Sequence, residues 1–171
     1  KNRFIRLVFF FRDGEMLALS DLRRFAKIVF GPKEEILNLP DLVRIGPEPI
    51  DKSLTFQKFQ EVLKNKKGAI KKILLDQTIL GGIGNIYADE ILWEAKIHPL
   101  TRAEKLKKRE LQKIYEGAKN ILKEGIRNRG TSMDDYRDPD GRKGNHEKHL
   151  KAYQKTGSPC PRCGTLIERI K

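Results

Sequence analysis

The spacing of apolar residues changes part-way along this 171-residue chain. Residues 1–30 carry apolar blocks of strand length: Phe4-Ile5-Arg6-Leu7-Val8-Phe9-Phe10-Phe11, then Asp13-Gly14, then Met16-Leu17-Ala18-Leu19. Such blocks bounded by turn residues predict strands, and Asp-Gly between two of them predicts a hairpin. A third strand is expected over Phe25-Ala26-Lys27-Ile28-Val29-Phe30. Pro32, Pro40, Pro47 and Pro49 interrupt residues 31–53, which read as a surface linker.

Beyond the linker the rhythm becomes helical. Phe56, Phe59 and Leu63 share one helical face, and Ile70, Ile73 and Leu74 repeat the pattern. The longest helix is expected over 107–128, where Leu111, Ile114, Tyr115, Ala118, Ile121, Leu122 and Ile126 form a stripe that reads as core. The class is therefore α+β: a β segment, a linker, a helical domain and a small cysteine-bearing tail. No apolar run approaches the ~18–20 residues of a membrane-spanning helix, so no membrane partner is expected. Lys1-Asn2-Arg3-Phe4 leads straight into strand-like sequence with no signal peptide, as if the chain began inside a domain.

Charge narrows the function. The chain holds 36 Lys and Arg against 23 Asp and Glu, a formal net charge of +13. A field of that sign attracts polyanions, nucleic acid above all, although a basic surface can also serve solubility alone. Clustering favours the first reading. Lys64, Lys66, Lys67, Lys71 and Lys72 crowd together without an acid, and Arg142, Lys143, Lys148, Lys151 and Lys155 have only Glu147 among them.

Two motifs carry candidate chemistry. Gly81-Gly82-Ile83-Gly84-Asn85-Ile86-Tyr87 separates a helix ending near Asp76 from one running from about Asn85 to Lys96. A helix opening at Gly84-Asn85 points free N–H groups outward, which suits a phosphate oxygen. The same glycines would also serve a plain helix-to-helix corner. No strand precedes them and no Lys-Ser or Lys-Thr follows, which excludes a dinucleotide fingerprint and a P-loop. The second motif, Cys160-Pro161-Arg162-Cys163-Gly164, has the spacing of half a four-ligand structural zinc site. His146 and His149 could supply the other ligands, or a second cysteine pair could follow Lys171. A thioredoxin-like redox pair fits less well without a strand-then-helix pattern around it. Two close cysteines make no disulfide framework, so a reducing cytoplasm is the expected compartment.

Taken in order, Asp21-Leu22-Arg23-Arg24-Phe25, Ile45-Gly46-Pro47-Glu48-Pro49, Leu75-Asp76-Gln77, Gly84-Asn85-Ile86-Tyr87-Ala88-Asp89-Glu90, Gly130-Thr131-Ser132, Asp138-Pro139-Asp140-Gly141 and the cysteine motif resemble the formamidopyrimidine-DNA glycosylases. The resemblance runs along essentially the whole chain. Endonuclease VIII is a sister family of the same fold, and the Gly-Pro-Glu-Pro and Asp-Pro-Asp-Gly pieces favour the formamidopyrimidine branch.

The resemblance implies an N-terminal β-sandwich, a helix–two-turn–helix domain and a C-terminal zinc finger. On that frame residues 1–30 are the later part of the sandwich and 31–53 the linker. Residues 54–155 are the DNA-binding domain with a lesion-capping loop over 131–145, and 156–171 are the first half of the finger. The implied partner is damaged double-stranded DNA, bound by a monomer, and the implied setting is the bacterial nucleoid. The implied activity is base excision: removal of oxidised purines such as 8-oxoguanine and formamidopyrimidines, then cleavage of the abasic strand by β,δ-elimination. In the family an N-terminal proline forms a Schiff base at C1′, helped by an adjacent glutamate. Neither is found at Lys1-Asn2, so this chain by itself is expected to bind DNA without excising a base.

Carried over position by position, Arg23 matches the residue that reads the cytosine opposite the lesion, and Phe25 the wedge filling the gap left by the flipped base. Arg24 matches a neighbouring phosphate contact. Lys71, Asn85 and Tyr153 match residues holding phosphates near the flipped nucleotide, and Cys160 and Cys163 match half of the zinc site. Without the resemblance, Phe25 would read as a core strand residue and Arg23 and Arg24 as a solvated edge. The chain departs from the family after Gly141, where Lys143-Gly144-Asn145-His146 replaces the usual Pro-Gly-Tyr-Phe. A ribosomal-type helix–two-turn–helix protein that binds RNA without catalysis is the rival reading, and it leaves Arg23-Arg24-Phe25 without a role.

Overall fold

The computed structural model describes residues 3–131 and 140–170. It divides into two compact units, Lys1–Val43 and Arg44–Lys171. The division falls inside the stretch that reads as a linker, and that stretch is partly helical.

In the first unit, β1 (Ile5–Phe10) pairs antiparallel with β2 (Met16–Ser20). Val8 faces Ala18 and Phe9 faces Leu17, with an irregularity in register between Ile5 and Leu7. The turn is closed by Phe11 N–H donating to Glu15 O (2.9 Å) and by Asp13 Oδ1 accepting Glu15 N–H (3.0 Å). Two short helices follow, α1 (Lys33–Leu37) and α2 (Pro40–Val43). The strand expected over 25–30 is not formed. A strand needs a ladder partner and a covered face, and this segment has neither: Phe25 is 73% and Phe30 100% exposed. Among the described residues of this unit none is buried, and its apolar strands form a two-stranded sheet.

The second unit holds the core. It contains α3 (Phe56–Leu63), α4 (Ile70–Leu75), α5 (Asn85–Ala95) and α6 (Lys108–Arg127). Thr55 Oγ1 caps α3 by accepting Lys58 N–H (3.3 Å), and Glu110 accepts Lys107 N–H (2.8 Å) at the start of α6. Phe59, Ile70, Leu74, Leu80, Ile83, Ala88, Ile91, Ile114 and Ala118 are fully enclosed. The expected α6 stripe packs inward at Ile114, Ala118 and Leu122, but Ile126 at its end is 63% exposed and does not belong to the core. Tyr115 bridges α6 to α3, its ring tilted against those of Phe56 and Phe59 and its hydroxyl donating to Leu54 O (2.8 Å).

The proline-rich segment closes onto this core. Gly46 N–H donates to Gln77 O (2.8 Å) and Gly81 N–H to Pro47 O (3.2 Å). A Cβ on Gly46 would lie 2.5 Å from the Ile79 carbonyl, so only glycine allows this approach. No helix among the described residues is long and apolar enough to cross a membrane.

Candidate nucleic-acid interface

The basic clusters remain at the surface. Lys64, Lys66, Lys67 and Lys72 are exposed, as are Arg142, Lys143, Lys148 and Lys151. What distinguishes the candidate site residues is how each is held.

In the first unit one carboxylate organises the Arg23–Phe25 loop. Asp21 Oδ1 accepts the N–H groups of Arg23 (2.8 Å) and Arg24 (2.9 Å), and Oδ2 accepts that of Ala26 (2.8 Å). These bonds, that from Ala26 foremost, hold the Asp21 carboxyl below its ordinary range. Arg24 takes a left-handed backbone conformation (φ 59°), which costs a side-chain-bearing residue energy and needs such support. The Arg23 guanidinium lies 4.8 Å from the centre of the exposed Phe25 ring. Phe25 is thus an exposed apolar blade beside a cation, and the core-strand reading of it falls.

In the second unit the glycine corner is built around Gln77. Its Oε1 accepts Gly82 N–H (2.9 Å) and its Nε2 donates to Ile83 O (2.7 Å), so the side chain substitutes for backbone pairing across the turn. Gly82 sits at φ +80°, a conformation side-chain-bearing residues rarely adopt. The two helices flanking the corner differ at their N-termini. The first N–H groups of α4 are taken, Ile70 by Thr101 O (2.8 Å) and Lys71 by Pro99 O (3.2 Å). By contrast α5 opens at Gly84 with no side-chain cap and an exposed Asn85 in its first turn. Its positive end is therefore the one open to an anion. Asp89 lies one turn along the same face of α5, and Lys71 Nζ meets its Oδ1 at 2.6 Å.

Tyr153 is placed by Glu90, a residue whose function the sequence reading did not find. Glu90 is 2% exposed. Its Oε1 accepts the N–H groups of Ala152 (2.8 Å) and Tyr153 (2.9 Å), and its Oε2 that of Lys151 (2.8 Å). A carboxylate among Ala88, Ile91 and Leu92 on a core-facing helix is itself a signal, because buried charges require partners. Asp21, two residues before Arg23, had a comparable signal in the spacing of a side-chain-to-backbone turn.

The segment read as a lesion cap lies partly outside the described residues, and its far end departs from the family at Lys143-Gly144-Asn145-His146. That end is anchored. Asn145 N–H donates to Asn128 O (2.9 Å) and His146 N–H to Gly130 O (3.1 Å). The buried His146 ring stacks between Tyr87 and His149, at 5.6 and 6.0 Å, with its Nδ1 3.2 Å from Asn128 Nδ2. Burial lowers the pKa of His146.

The tail forms a small hairpin. Cys160 N–H donates to Thr165 O and Gly164 N–H to Cys160 O, both at 2.8 Å. The Arg162 guanidinium lies 3.9 Å from the Trp93 ring centre and donates to Trp93 O (2.8 Å), fastening the tail to α5. The Arg162 N–H foremost, with the Cys163 N–H, brings the Cys160 thiol down to about 7. A thiol so easily ionised suits a metal knuckle, and the donor set fits zinc as far as it goes. Among the described residues no group of three or more His, Cys, Asp or Glu gathers around a metal site. His146 and His149 lie against Tyr87 and Glu124 and do not gather with Cys160 and Cys163 in the described residues.

Residues 45–136 match the family model of the formamidopyrimidine-DNA glycosylase H2TH domain. The chain belongs to the formamidopyrimidine-DNA glycosylase family. It is 41% identical over 172 residues to the formamidopyrimidine-DNA glycosylase of Protochlamydia amoebophila, covering 98% of this chain and 60% of that protein. The crystal structure of the MutM (Fpg) protein from Thermus thermophilus superimposes with a TM-score of 0.87 at 34% identity, over 99% of this chain and 64% of that one. The Lactococcus lactis Fpg in complex with abasic-site DNA gives 0.81 at 34% identity, over 91% and 57%. The chain thus spans about 60% of the length of the curated relatives it matches. Family membership covers the sheet-plus-helices fold described above, and the glycine corner lies within the matched H2TH segment.

Proposed function

We propose that this glycosylase-family chain binds damaged duplex DNA and serves base excision in the bacterial cytoplasm, acting as a monomer. The observation that carries the proposal is the uncapped, Asn85-bearing N-terminus of α5 with Lys71 beside it, a site with both the dipole and the cation that a phosphate requires. Asn85 and Lys71 hold phosphates flanking the extruded nucleotide, and Tyr153 adds a further contact from the strap of residues 151–153 that Glu90 secures. On the first unit, Phe25 fills the gap left by the flipped base and Arg23 reads the base opposite, while Arg24 contacts a neighbouring phosphate.

The substrates proposed are oxidised purines, 8-oxoguanine and formamidopyrimidines, with the abasic strand then cleaved by β,δ-elimination. Residues 131–145 cap the extruded base in this reading. The chain's own contribution is grip and extrusion: offsetting the unstacking with Phe25 and holding the distorted backbone with Asn85 and Lys71. Cys160 and Cys163 would supply two thiolate ligands to a structural zinc, which when bound stiffens the tail that Arg162 fastens to α5.

The test is binding of the 171-residue chain to a short duplex with one abasic-site analogue, to the undamaged duplex and to a structured RNA of equal length, across a salt series. The damaged duplex should bind tightest, and log affinity should fall with log salt by roughly 0.9 per neutralised phosphate. A slope near zero, or preference for RNA, would overturn the proposal.

A further inference from the structure

The Lys71 ammonium faces two competing anions. One is the phosphate proposed above, on which this inference rests. The other is already present: Asp89 Oδ1 at 2.6 Å, with both side chains less than one-third exposed (30% and 24%). Asp89 sits one helical turn beyond Asn85 on the same face of α5, the face on which the proposed phosphate would be held by Asn85 and the helix N-terminus. Holding a carboxylate there is costly for a site meant only to bind backbone, because like charges at such a distance repel.

We infer that Asp89 is a specificity-determining residue, a built-in competitor that keeps Lys71 neutralised until a phosphate is presented in the one geometry that Asn85 and the α5 N-terminus also accept. Ordinary duplex passing over the site meets a neutral ion pair. A backbone deformed around an extruded nucleotide brings its phosphate to Asn85, and the combined pull of helix dipole, carboxamide and ammonium displaces the carboxylate. Asp89 thereby lowers affinity for undamaged DNA more than affinity for damaged DNA.

Counterion release supplies a signature that simple charge removal does not. A lysine that exchanges a carboxylate for a phosphate, leaving the carboxylate behind, frees no net counterion. A lysine with no prior partner frees about one. The experiment compares the full chain, Asp89→Asn, Lys71→Met and the double variant, each measured against undamaged and abasic-analogue duplexes over a salt series.

Asp89→Asn is expected to tighten undamaged duplex about threefold to tenfold and damaged duplex less, narrowing discrimination, and to steepen the salt slope by roughly 0.9. Lys71→Met should leave the slope unchanged when Asp89 is present and make it shallower by about the same amount when Asn stands there. Unchanged or weakened binding by Asp89→Asn overturns the inference. So does an equal gain in the Lys71→Met background, which would make Asp89 a mere bystander charge. Failure of the unaltered chain to bind either duplex would overturn the nucleic-acid reading itself and this inference with it. Thermal unfolding of each variant separates loss of binding from loss of fold: a variant that unfolds early while the other three follow the pattern is replaced by Lys71→Gln or Asp89→Ser, held to the same slopes.

Discussion

Glu90 and Tyr153 lie 63 residues apart in sequence and 2.9 Å apart at the Glu90 Oε1···H–N contact. That carboxylate also holds Lys151 and Ala152, so a single buried anion fixes the course of the strap running past α5. Hydrogen bonds to charged groups contribute roughly 1.5–3 kcal/mol each, and leaving buried partners unmade costs similar amounts. Glu90→Ala should therefore destabilise the second unit by about 3 kcal/mol in denaturant unfolding. Glu90→Gln should cost less, since one carbonyl oxygen remains. If both variants unfold like the parent, the strap is held by something other than Glu90.

A different outcome is expected for Asp21, whose role is local. Asp21→Ala should release the Arg23–Phe25 loop and weaken damaged-duplex binding roughly tenfold, about 1.4 kcal/mol on the affinity scale, while the helical unit unfolds as before. The loop's acid sensitivity follows from the same bonds. The Asp21 carboxyl is held below its ordinary 3.8, so its support is fully present above that value and disappears as pH falls through the lower folded-state pKa. Near neutral pH the loop should show no pH dependence from this source. Loop order read by NMR amide exchange of Arg23, Arg24 and Ala26 checks both statements.

Asn85→Ala tests the glycine corner. Gln77 and Gly82 shape the turn without help from the Asn85 side chain, so helix content by circular dichroism should stay constant. Affinity for the abasic-analogue duplex should fall by about 1 kcal/mol or more, as loss of a hydrogen bond to a charged group would produce. A variant that binds normally would remove Asn85 from the interface, and one that unfolds would make it a packing residue.

His146 gives a pH prediction of opposite sense to an ordinary surface histidine. Burial depresses its pKa below 6.5, opposed by Glu124 and Glu90 and reinforced by His149. A carboxamide nitrogen only donates, so the contact with Asn128 Nδ2 requires His146 Nδ1 to be bare. The unfolded chain then binds the proton more readily than the folded one. Its cost is absent well above pH 6.5 and grows as pH falls from there towards the folded-state pKa. The melting temperature should drop between about pH 7.5 and about pH 5.5, and His146→Phe, which keeps the ring against Tyr87, should flatten that drop. An unchanged pH profile in the variant would clear His146 of the effect.

Sequence alone determined the elements whose periodicity is strong: α3, α4 and α6 lie where apolar residues recur at helical spacing, and Ile70, Ile73 and Leu74 are buried as that spacing requires. The order of the motifs also carried the family, and Gly82 at φ +80° answers a local backbone demand, whereas Gly46 is required by the distant Ile79 carbonyl. Tertiary structure decided the rest. The apolar run at 25–30 has the composition of a strand, yet strand formation depends on a pairing edge, and the Asp21 bonds draw its beginning into a loop instead. The last residue of the α6 stripe is exposed because the buried face at that end of the helix passes through Gly125, which packs against the Tyr87 ring. The pairing of Lys71 with Asp89, the seating of His146 against Tyr87 and the grip of Glu90 on residues 151–153 join positions far apart in the chain. No local pattern encodes such contacts, because they arise only when packed helices bring a charge and its partner within reach and burial makes leaving either unpaired costly.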